Sequence, residues 1–355
     1  MKKRFFIVSD ILVCISGIIG AGFATGQEIS LYFKNKNPLL TTIFCFVFFC
    51  AFFLMGLNLK EVLREKEEAK RGIKTRRLSF FVLSDVFLVI SCFFVLTAML
   101  SGAQTNVDIV LGLNTKIPFF AILTALLCVF LSYFDLKGLT VVGIVLTPIM
   151  LFFILYVCFF KDTFTYKGEA LGCISNSLFY VSLNSVTVTP LIAEFGKKYS
   201  SKQKLIFSFI TSAVLSILIF FILALINSVN DDTMPLVHAA ASNAVLGKIY
   251  GAIVLFSIIT TILTCAYPVI IAVDKKVNNK IVSIFIVFFA AFCLSLLGFK
   301  RIIDYAYPLI SLLGILLVIY FSAVFLHKKL TVPPYQRLFK QSDKQIHNGS
   351  NNAKH

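Results

Sequence analysis

The segment 17-GIIGAGFATGQEI-29 lies within the first apolar run of a 355-residue chain, and it contains residues that a plain membrane helix would not need. Four glycines are followed directly by Gln27 and the ionisable Glu28. Glycine destabilises a helix, tolerates positive φ and lets another group approach the backbone closely. The segment therefore predicts an interruption of the first helix near its middle.

Composition places this segment in a polytopic membrane protein, because 58% of the chain is hydrophobic and only 14% is charged. Ten apolar runs are long enough to cross a hydrocarbon core of ~30 Å. These predicted spans are 5–33, 38–59, 79–103, 117–134, 139–160, 170–195, 204–229, 248–273, 281–297 and 304–326.

The distribution of Lys and Arg predicts the orientation, because these residues are retained in cytoplasmic loops. With the N-terminus in the cytoplasm, 25 of the 33 basic residues fall on the cytoplasmic side and both termini are cytoplasmic. The net charge of +16 therefore indicates topology, and no nucleic-acid partner is predicted. A transmembrane domain is expected over 1–330, followed by a disordered cytoplasmic tail over 331–355.

Ten spans divide into five and five, and an odd number of crossings inverts the second half relative to the first. The predicted repeats cover about 5–160 and 170–326. Span six, 170-ALGCISNSLFYVSLNSVTVTPLIAE-194, has Ser182, Asn184 and Ser185 near its middle and Pro190 after them. We therefore expect spans one and six both to be broken at mid-membrane. The alternative for span one is close helix packing at Gly22-x-x-x-Gly26.

Unwound backbone inside a membrane leaves polar groups unpaired, and each costs several kcal/mol unless protein, water or a ligand meets it. Free amides can bind a carboxylate and free carbonyls can bind a cation. The predicted substrate-binding residues are Gly20, Ala21, Gly22, Phe23, Thr25, Gln27, Glu28, Ser182, Asn184 and Ser185.

The string Ser16-x-x-Ile19-Gly20-Ala21-Gly22 resembles the first-helix signature of the amino acid, polyamine and organocation transporter superfamily. The longer string GAGFATGQE is similar to that of the bacterial YkvI-like membrane proteins. The resemblance implies an all-α polytopic LeuT-like fold with ten transmembrane helices in a 5+5 inverted repeat. It also implies residence in the bacterial cytoplasmic membrane.

The same resemblance implies a Na⁺ site between the first and eighth spans. Its ligands would be the carbonyls of Ser16 and Ile19 and the side chains of Thr260 and Thr261. Further candidates are Ser257 and Thr264. The alternative is that the threonines bond to their own helix carbonyls. If H⁺ is the coupling ion, Glu28 is the best candidate, since an intramembrane carboxylate is costly and indicates function. No cofactor other than Na⁺ is predicted.

The sequence has none of the common hydrolase or metalloprotease motifs at membrane depth, so an enzyme is not expected. The pattern favours a secondary transporter of a small solute, an amino acid or related amine, working by alternating access. The alternative is a ligand sensor of the same fold, as in spore-germination receptors, which the chain distantly resembles. The solute, the coupling ion, the direction of transport and the oligomeric state stay open.

Two further predictions concern the periphery. The loop 230–248 is expected to contain one or two short helices over the outer face. The chain has no Trp, so tyrosines near span ends are expected to supply the interfacial belt. They are Tyr32, Tyr133, Tyr156, Tyr199, Tyr250 and Tyr305.

Overall fold

A computed structural model describes residues 2–69, 76–113, 117–133, 139–160, 164–229 and 233–331, and this part of the chain folds into thirteen α-helices. The predicted tail lies outside the described residues, apart from Thr331. The helices are α1 Lys2–Ile18, α2 Ala21–Ala24, α3 Gln27–Phe33, α4 Pro38–Ala69, α5 Arg76–Leu111, α6 Phe119–Tyr133, α7 Leu139–Phe160, α8 Cys173–Phe195, α9 Ser201–Ile226, α10 Pro235–Ala241, α11 Ala244–Val277, α12 Lys280–Ser295 and α13 Phe299–Thr331.

The chain is a multi-pass helical membrane protein. Five helices in the described part are long and apolar enough to cross a membrane, with spans at Pro38–Asn58, Asp85–Leu111, Ser201–Ile226, Ala244–Val277 and Phe299–Tyr320. Large apolar side chains such as Phe289 and Phe256 are exposed on the outside, where lipid would cover them. Helices occur at all ten predicted spans, with α1 to α3 together at span one. Helix α10 lies in the loop before span eight, as predicted.

Span one is broken, which confirms the prediction made from its glycines. Helix α1 ends at Ile18, the backbone of Gly20 is extended (φ −86°, ψ −170°), and α2 has only four residues. Gly26 then has φ 76°, in the left-handed region that favours glycine, and α3 begins at the next residue. The chain therefore changes direction twice within eight residues.

Span six is continuous, so the predicted break in this helix is wrong. Helix α8 runs without interruption from Cys173 to Phe195. Its polar side chains bond to carbonyls three or four residues earlier in the same helix, which satisfies them without unwinding the backbone. The bonds are Asn184 Nδ2 to Tyr180 O (3.1 Å), Ser185 Oγ to Ser182 O (2.7 Å), Thr187 Oγ1 to Asn184 O (3.0 Å) and Thr189 Oγ1 to Ser185 O (2.5 Å).

Spans one and six lie side by side and antiparallel. Near the end of α1, a Cβ added to Gly17 would lie 3.2 Å from Val188. At the end of α3, the Asn176 side chain donates to the carbonyl of Tyr32 (2.6 Å). This register places residues 182–185 at the level of the break in span one.

Three pairs of the remaining helices pack in corresponding positions. Helix α4 packs on α9, α5 on α11 and α6 on α12, so that spans two, three and four each contact the span five places later. Helix α13 also lies against α8, where a Cβ on Gly314 would be 1.9 Å from the carbonyl oxygen of Ser182. Glycine at that crossing lets the two backbones touch.

Candidate functional site

The break in span one leaves main-chain groups without their helical partners. The amides of Gly20 and Ala21 would normally bond to the carbonyls of Ser16 and Gly17, but they bond to Ile18 O (2.9 Å) and Thr261 Oγ1 (3.4 Å). Within the described residues, the carbonyls of Ser16, Gly17 and Ile19 accept no backbone hydrogen bond. The main chain therefore presents free acceptors at the break, and of these three residues Ile19 is buried.

The short helix α2 adds free donors to the same segment. Over the described part of the chain, the amides of Gly22 and Phe23 make no hydrogen bond. Both residues are buried. Groups of opposite polarity, the carbonyls before the break and the amides after it, thus lie within a few residues of each other.

Helix α11 holds the break through Thr261. Its hydroxyl accepts the Ala21 amide and donates to Ser257 O (2.8 Å), and a Cβ on Gly20 would be 3.4 Å from it. Thr260 also donates to Ser257 O (2.9 Å), while Thr264 is exposed and bonds to Thr260 O. The structure therefore brings Thr261 to the break and shows both predicted threonines bonded to their own helix.

Helix α10 covers the outer side of the break. The amide of Leu236 donates to Thr25 O (3.1 Å), and the amide of Met234 donates to the buried side chain of Gln27 (3.0 Å). Thr25 in turn donates to Gly22 O (3.0 Å). The predicted residues Thr25 and Gln27 thus tie the break to this loop helix.

Glu28 is folded back over the break. A Cβ on Gly22 would lie 2.1 Å from Glu28 Oε1, so the carboxylate occupies the space that any side chain at Gly22 would need. Glu28 is 8% exposed, and its Oε2 has no hydrogen-bond partner among the described residues. No Lys, Arg or His in the described part of the chain forms an ion pair with it. A buried carboxyl group with no ion-pair partner in the described residues therefore faces the unwound segment.

Hydroxyl groups from three helices surround this carboxylate. Tyr32, one turn after Glu28 on α3, bonds to Ser311 of α13 (2.6 Å between the oxygens). Tyr307, one turn before Ser311, lies close enough to interact with the Glu28 carboxylate. Tyr180 of α8 packs its ring on Tyr32 (5.8 Å between centroids), and its buried hydroxyl has no partner in the described residues.

Sequence reasoning missed these tyrosines because it assigned Tyr32 and Tyr250 to the interfacial belt. Both are buried, and Tyr250 donates to Ala24 O (2.6 Å) beside the break. Tyr180 and Tyr307 carried no motif. One available signal was spacing, since Tyr32 lies four residues after Glu28 and so shares its helix face.

The predicted residues of span six contribute less than expected. Ser182 is fully buried at the crossing with α13, and its hydroxyl has no partner within the described residues. Asn184 and Ser185 use their side chains for bonds within α8. Of the three, Ser182 is the one whose side chain makes no hydrogen bond within the described residues.

An ion pair between Lys36, which follows α3, and Glu169, which precedes α8, joins the two spans (2.7 Å). The hydrogen bond from Lys36, followed by its charge, lowers the pKa of Glu169 below its ordinary value of 4.5. At the opposite end of the two spans, the Tyr199 hydroxyl donates to Asp10 of α1, and Lys198 Nζ lies 3.8 Å from the same carboxylate. Span one is thus attached at both ends to the segments that flank span six.

No protein-family model matches the chain. A curated relative, the uncharacterized protein YyaD of Bacillus subtilis (strain 168), is 23% identical over 197 residues, which are 53% of this chain and 56% of the relative. The chain thus spans about half the length of the curated relative it matches. The resemblance to YkvI-like proteins stays a prediction.

Among solved structures, the chain is similar to the Eremococcus coleocola manganese transporter in complex with an aromatic bis-isothiourea substituted compound. That alignment has 15% identity and a TM-score of 0.43, and it covers 90% of this chain and 71% of the transporter. Two mutants of the same transporter align at 13% identity with a TM-score of 0.42, covering 91% of this chain and 72% of theirs.

Proposed function

We propose that the protein is a secondary active transporter of a small solute, an amino acid or related amine, coupled to Na⁺ or H⁺. The observation that carries this proposal is the break in span one, where free carbonyls, free amides and the buried Glu28 carboxylate meet. Such groups are costly in an apolar interior, so they persist where a polar ligand satisfies them. A solute with both an amine and a carboxylate would pair with both polarities.

The solute site is proposed to lie at the level of the break. Its predicted members in span one are Gly20, Ala21, Gly22, Phe23, Thr25, Gln27 and Glu28, and Ser182 is the member from span six that retains a free hydroxyl. The corrected site is asymmetric, because span one contributes unwound main chain together with side chains such as that of Glu28, whereas span six contributes side chains alone. Ser185 and Asn184 bond to carbonyls of α8 and are left out of the proposed solute site.

The helix packing supports a ten-span, five-and-five inverted arrangement of the LeuT type. Spans one and six are antiparallel neighbours, and spans two, three and four each pack on the span five places later. Two related halves can then rock against each other and expose the site alternately. The Lys and Arg distribution supports cytoplasmic termini in a bacterial cytoplasmic membrane.

Na⁺ fits the oxygen groups beside the break. The carbonyls of Ser16 and Ile19 are free, and the Thr261 hydroxyl oxygen keeps acceptor capacity while donating its hydrogen to Ser257. Thr260 would become a further ligand if its hydroxyl rotated away from the Ser257 carbonyl, to which it donates. Na⁺ bound there would link the broken span to α11. H⁺ coupling would instead use the Glu28 carboxyl.

Transport is tested with the purified full-length chain in proteoliposomes. Counterflow of radiolabelled amino acids and amines is measured against preloaded unlabelled solute, with and without a Na⁺ or pH gradient. The proposal predicts counterflow of at least one solute and its acceleration by one gradient. Stabilisation of the protein against thermal unfolding by a solute that shows no counterflow would contradict transport and favour a ligand sensor.

A further inference from the structure

We propose that Glu28, Tyr180, Tyr32 and Ser311 form a subsite for the ammonium group of the solute. This inference rests on the proposed function, because it states which charged group of the solute binds at the site proposed above. The subsite lies on the outer side of the break, where α3, α8 and α13 meet.

The four side chains converge by measured contacts and by helix register. Glu28 and Tyr32 are separated by four residues on α3 and so share a face. The Tyr32 hydroxyl reaches Ser311 of α13 (2.6 Å between the oxygens), and the Tyr32 ring contacts that of Tyr180 on α8. Three separate helices therefore bring hydroxyl groups together beside Tyr32, on the helix face that also carries Glu28.

When Glu28 is ionised, its negative charge favours binding of a cation in the subsite. Glu28 is buried, and within the described residues its Oε2 has neither a hydrogen bond nor an ion pair. Removing a carboxylate from water without a partner costs several kcal/mol, and a cation with hydrogen-bond donors offsets that cost. The solute is the source of that cation in this proposal.

The number of free acceptors matches an ammonium group, which has three N–H donors. Glu28 Oε2 and the Tyr180 hydroxyl are both buried without partners in the described part of the chain. Tyr32 and Ser311 share one hydrogen atom between their oxygens, so the pair retains acceptor lone pairs. Together these atoms offer one acceptor for each donor.

The walls of the subsite are aromatic. The Tyr180 ring lies 5.3 Å from that of Phe33 and 6.1 Å from that of Phe49, measured between centroids. Aromatic surroundings stabilise organic cations through the ring quadrupole. They favour an ammonium group on a carbon skeleton over a strongly hydrated inorganic ion.

The test compares each amine with a solute of the same carbon skeleton that lacks amino groups. Leucine is paired with 4-methylpentanoate, and putrescine is paired with butane-1,4-diol. Binding to the purified full-length protein in detergent is measured by thermal stabilisation and by isothermal titration calorimetry. We expect an amine to bind and its amine-free partner to bind about tenfold more weakly or worse, as the loss of a charged hydrogen bond predicts.

Two substitutions test whether the preference for an amine arises in the subsite. Glu28→Gln keeps the shape of the side chain and should weaken amine binding about tenfold or more, whereas Glu169→Gln, at an exposed carboxylate, should leave it unchanged. Tyr180→Phe should weaken binding severalfold without lowering the thermal stability of the unliganded protein, because the hydroxyl it removes has no partner in the described residues.

The outcomes separate the two proposals. If an amine-free solute binds as well as its amine partner, or if Glu28→Gln leaves amine affinity unchanged, the subsite is refuted while transport stands. If Glu28→Gln abolishes a dependence of binding on Na⁺ without changing the preference for the amine, the carboxylate holds the inorganic cation and the subsite is also refuted. If no solute of the panel binds wild-type protein, both proposals fail.

Discussion

Spans one and six are the pair that the proposed inverted repeat relates, and both carry polar residues near their middle, but only span one is broken. Span one is interrupted at glycines, which bring no side-chain donor or acceptor to the helix. Span six carries Ser, Thr and Asn, whose side chains bond to carbonyls of the same helix. Polar side chains that can bond to carbonyls of their own helix therefore leave a membrane helix continuous. Glycines offer no such bonds and allow the backbone to unwind.

Because of this difference, the two spans present different chemical groups to the proposed site. Span one exposes main-chain carbonyls and amides and keeps space over Gly22 for the Glu28 carboxylate. Span six supplies a rigid wall that bears Ser182 and Tyr180, whose hydroxyls have no partner within the described residues. In the proposed transporter, the solute would contact main-chain groups and the Glu28 side chain of span one on one side and side chains of span six on the other.

The largest effect is expected where span six is pressed against α13. Gly314→Ala places a methyl 1.9 Å from the Ser182 carbonyl oxygen, so the two backbones must separate, at a cost of about 3 kcal/mol. Thermal unfolding in detergent measures the loss. Gly17→Ala is the matched control in span one, because its methyl meets only a Val188 side chain at 3.2 Å. Equal stability of the two variants would refute the rigid contact.

The next largest effect concerns the space over Gly22. Gly22→Leu displaces the Glu28 carboxylate and should reduce solute affinity by about a hundredfold, equivalent to about 2.7 kcal/mol, while the protein still inserts and purifies. Gly20→Ala, whose methyl makes an ordinary 3.4 Å contact with Thr261, should change affinity much less. Binding is measured by calorimetry. Unchanged affinity in Gly22→Leu would count against a site at the break.

A smaller effect is expected at the attachment of the break to α11. Thr261→Val removes the acceptor of the Ala21 amide and should lower stability by about 1 kcal/mol. If Na⁺ binds there, Thr260→Val combined with Thr261→Val should also abolish the Na⁺ dependence of uptake in proteoliposomes. Retained Na⁺ dependence would exclude the two threonines as ligands. Thr264→Val, at an exposed position, is the control.

Span six itself should tolerate loss of single hydroxyls. Ser185→Ala removes one bond to a carbonyl that is already bonded within the helix, so we expect a change of about 0.5 kcal/mol or less in the free energy of unfolding. Amide hydrogen exchange should show residues 180–189 equally protected in the variant and the wild type. Rapid exchange in this segment of the variant would contradict this expectation, because it would mean that the Ser185 bond is needed to keep the backbone of span six helical.

The smallest effect is expected at the ion pair between Lys36 and Glu169. Because Lys36 lowers the pKa of Glu169, the pair stabilises the folded protein above pH 4.5 and is lost as the pH falls through the depressed value. Both residues are near solvent, so the change is slight. The difference in melting temperature between wild type and Glu169→Gln should shrink on going from pH 7 to pH 3. A difference independent of pH would exclude the ion pair as its cause.

The break in span one could be predicted because glycine has the same backbone preferences wherever it occurs, so Gly20 and Gly26 indicate it directly. The break in span six could not be judged in this way. Whether Ser185 or Thr189 unwinds a helix depends on the rotamer of its hydroxyl, which sequence does not specify. Glu28 was identified by the cost of an intramembrane charge, but Tyr180, Tyr307 and Ser311 join it only through packing between distant segments.

The central claim is that span one is unwound with its carboxylate over Gly22 while span six is a continuous helix. A cryo-electron microscopy map of the protein in lipid nanodiscs tests this most directly, at residues 17–29 and 180–190. We predict main-chain density that leaves the helix at Ile19 and Gly20, with the Glu28 side chain over Gly22, beside unbroken helical density for span six. Continuous helical density from residue 17 to residue 29 would contradict the account.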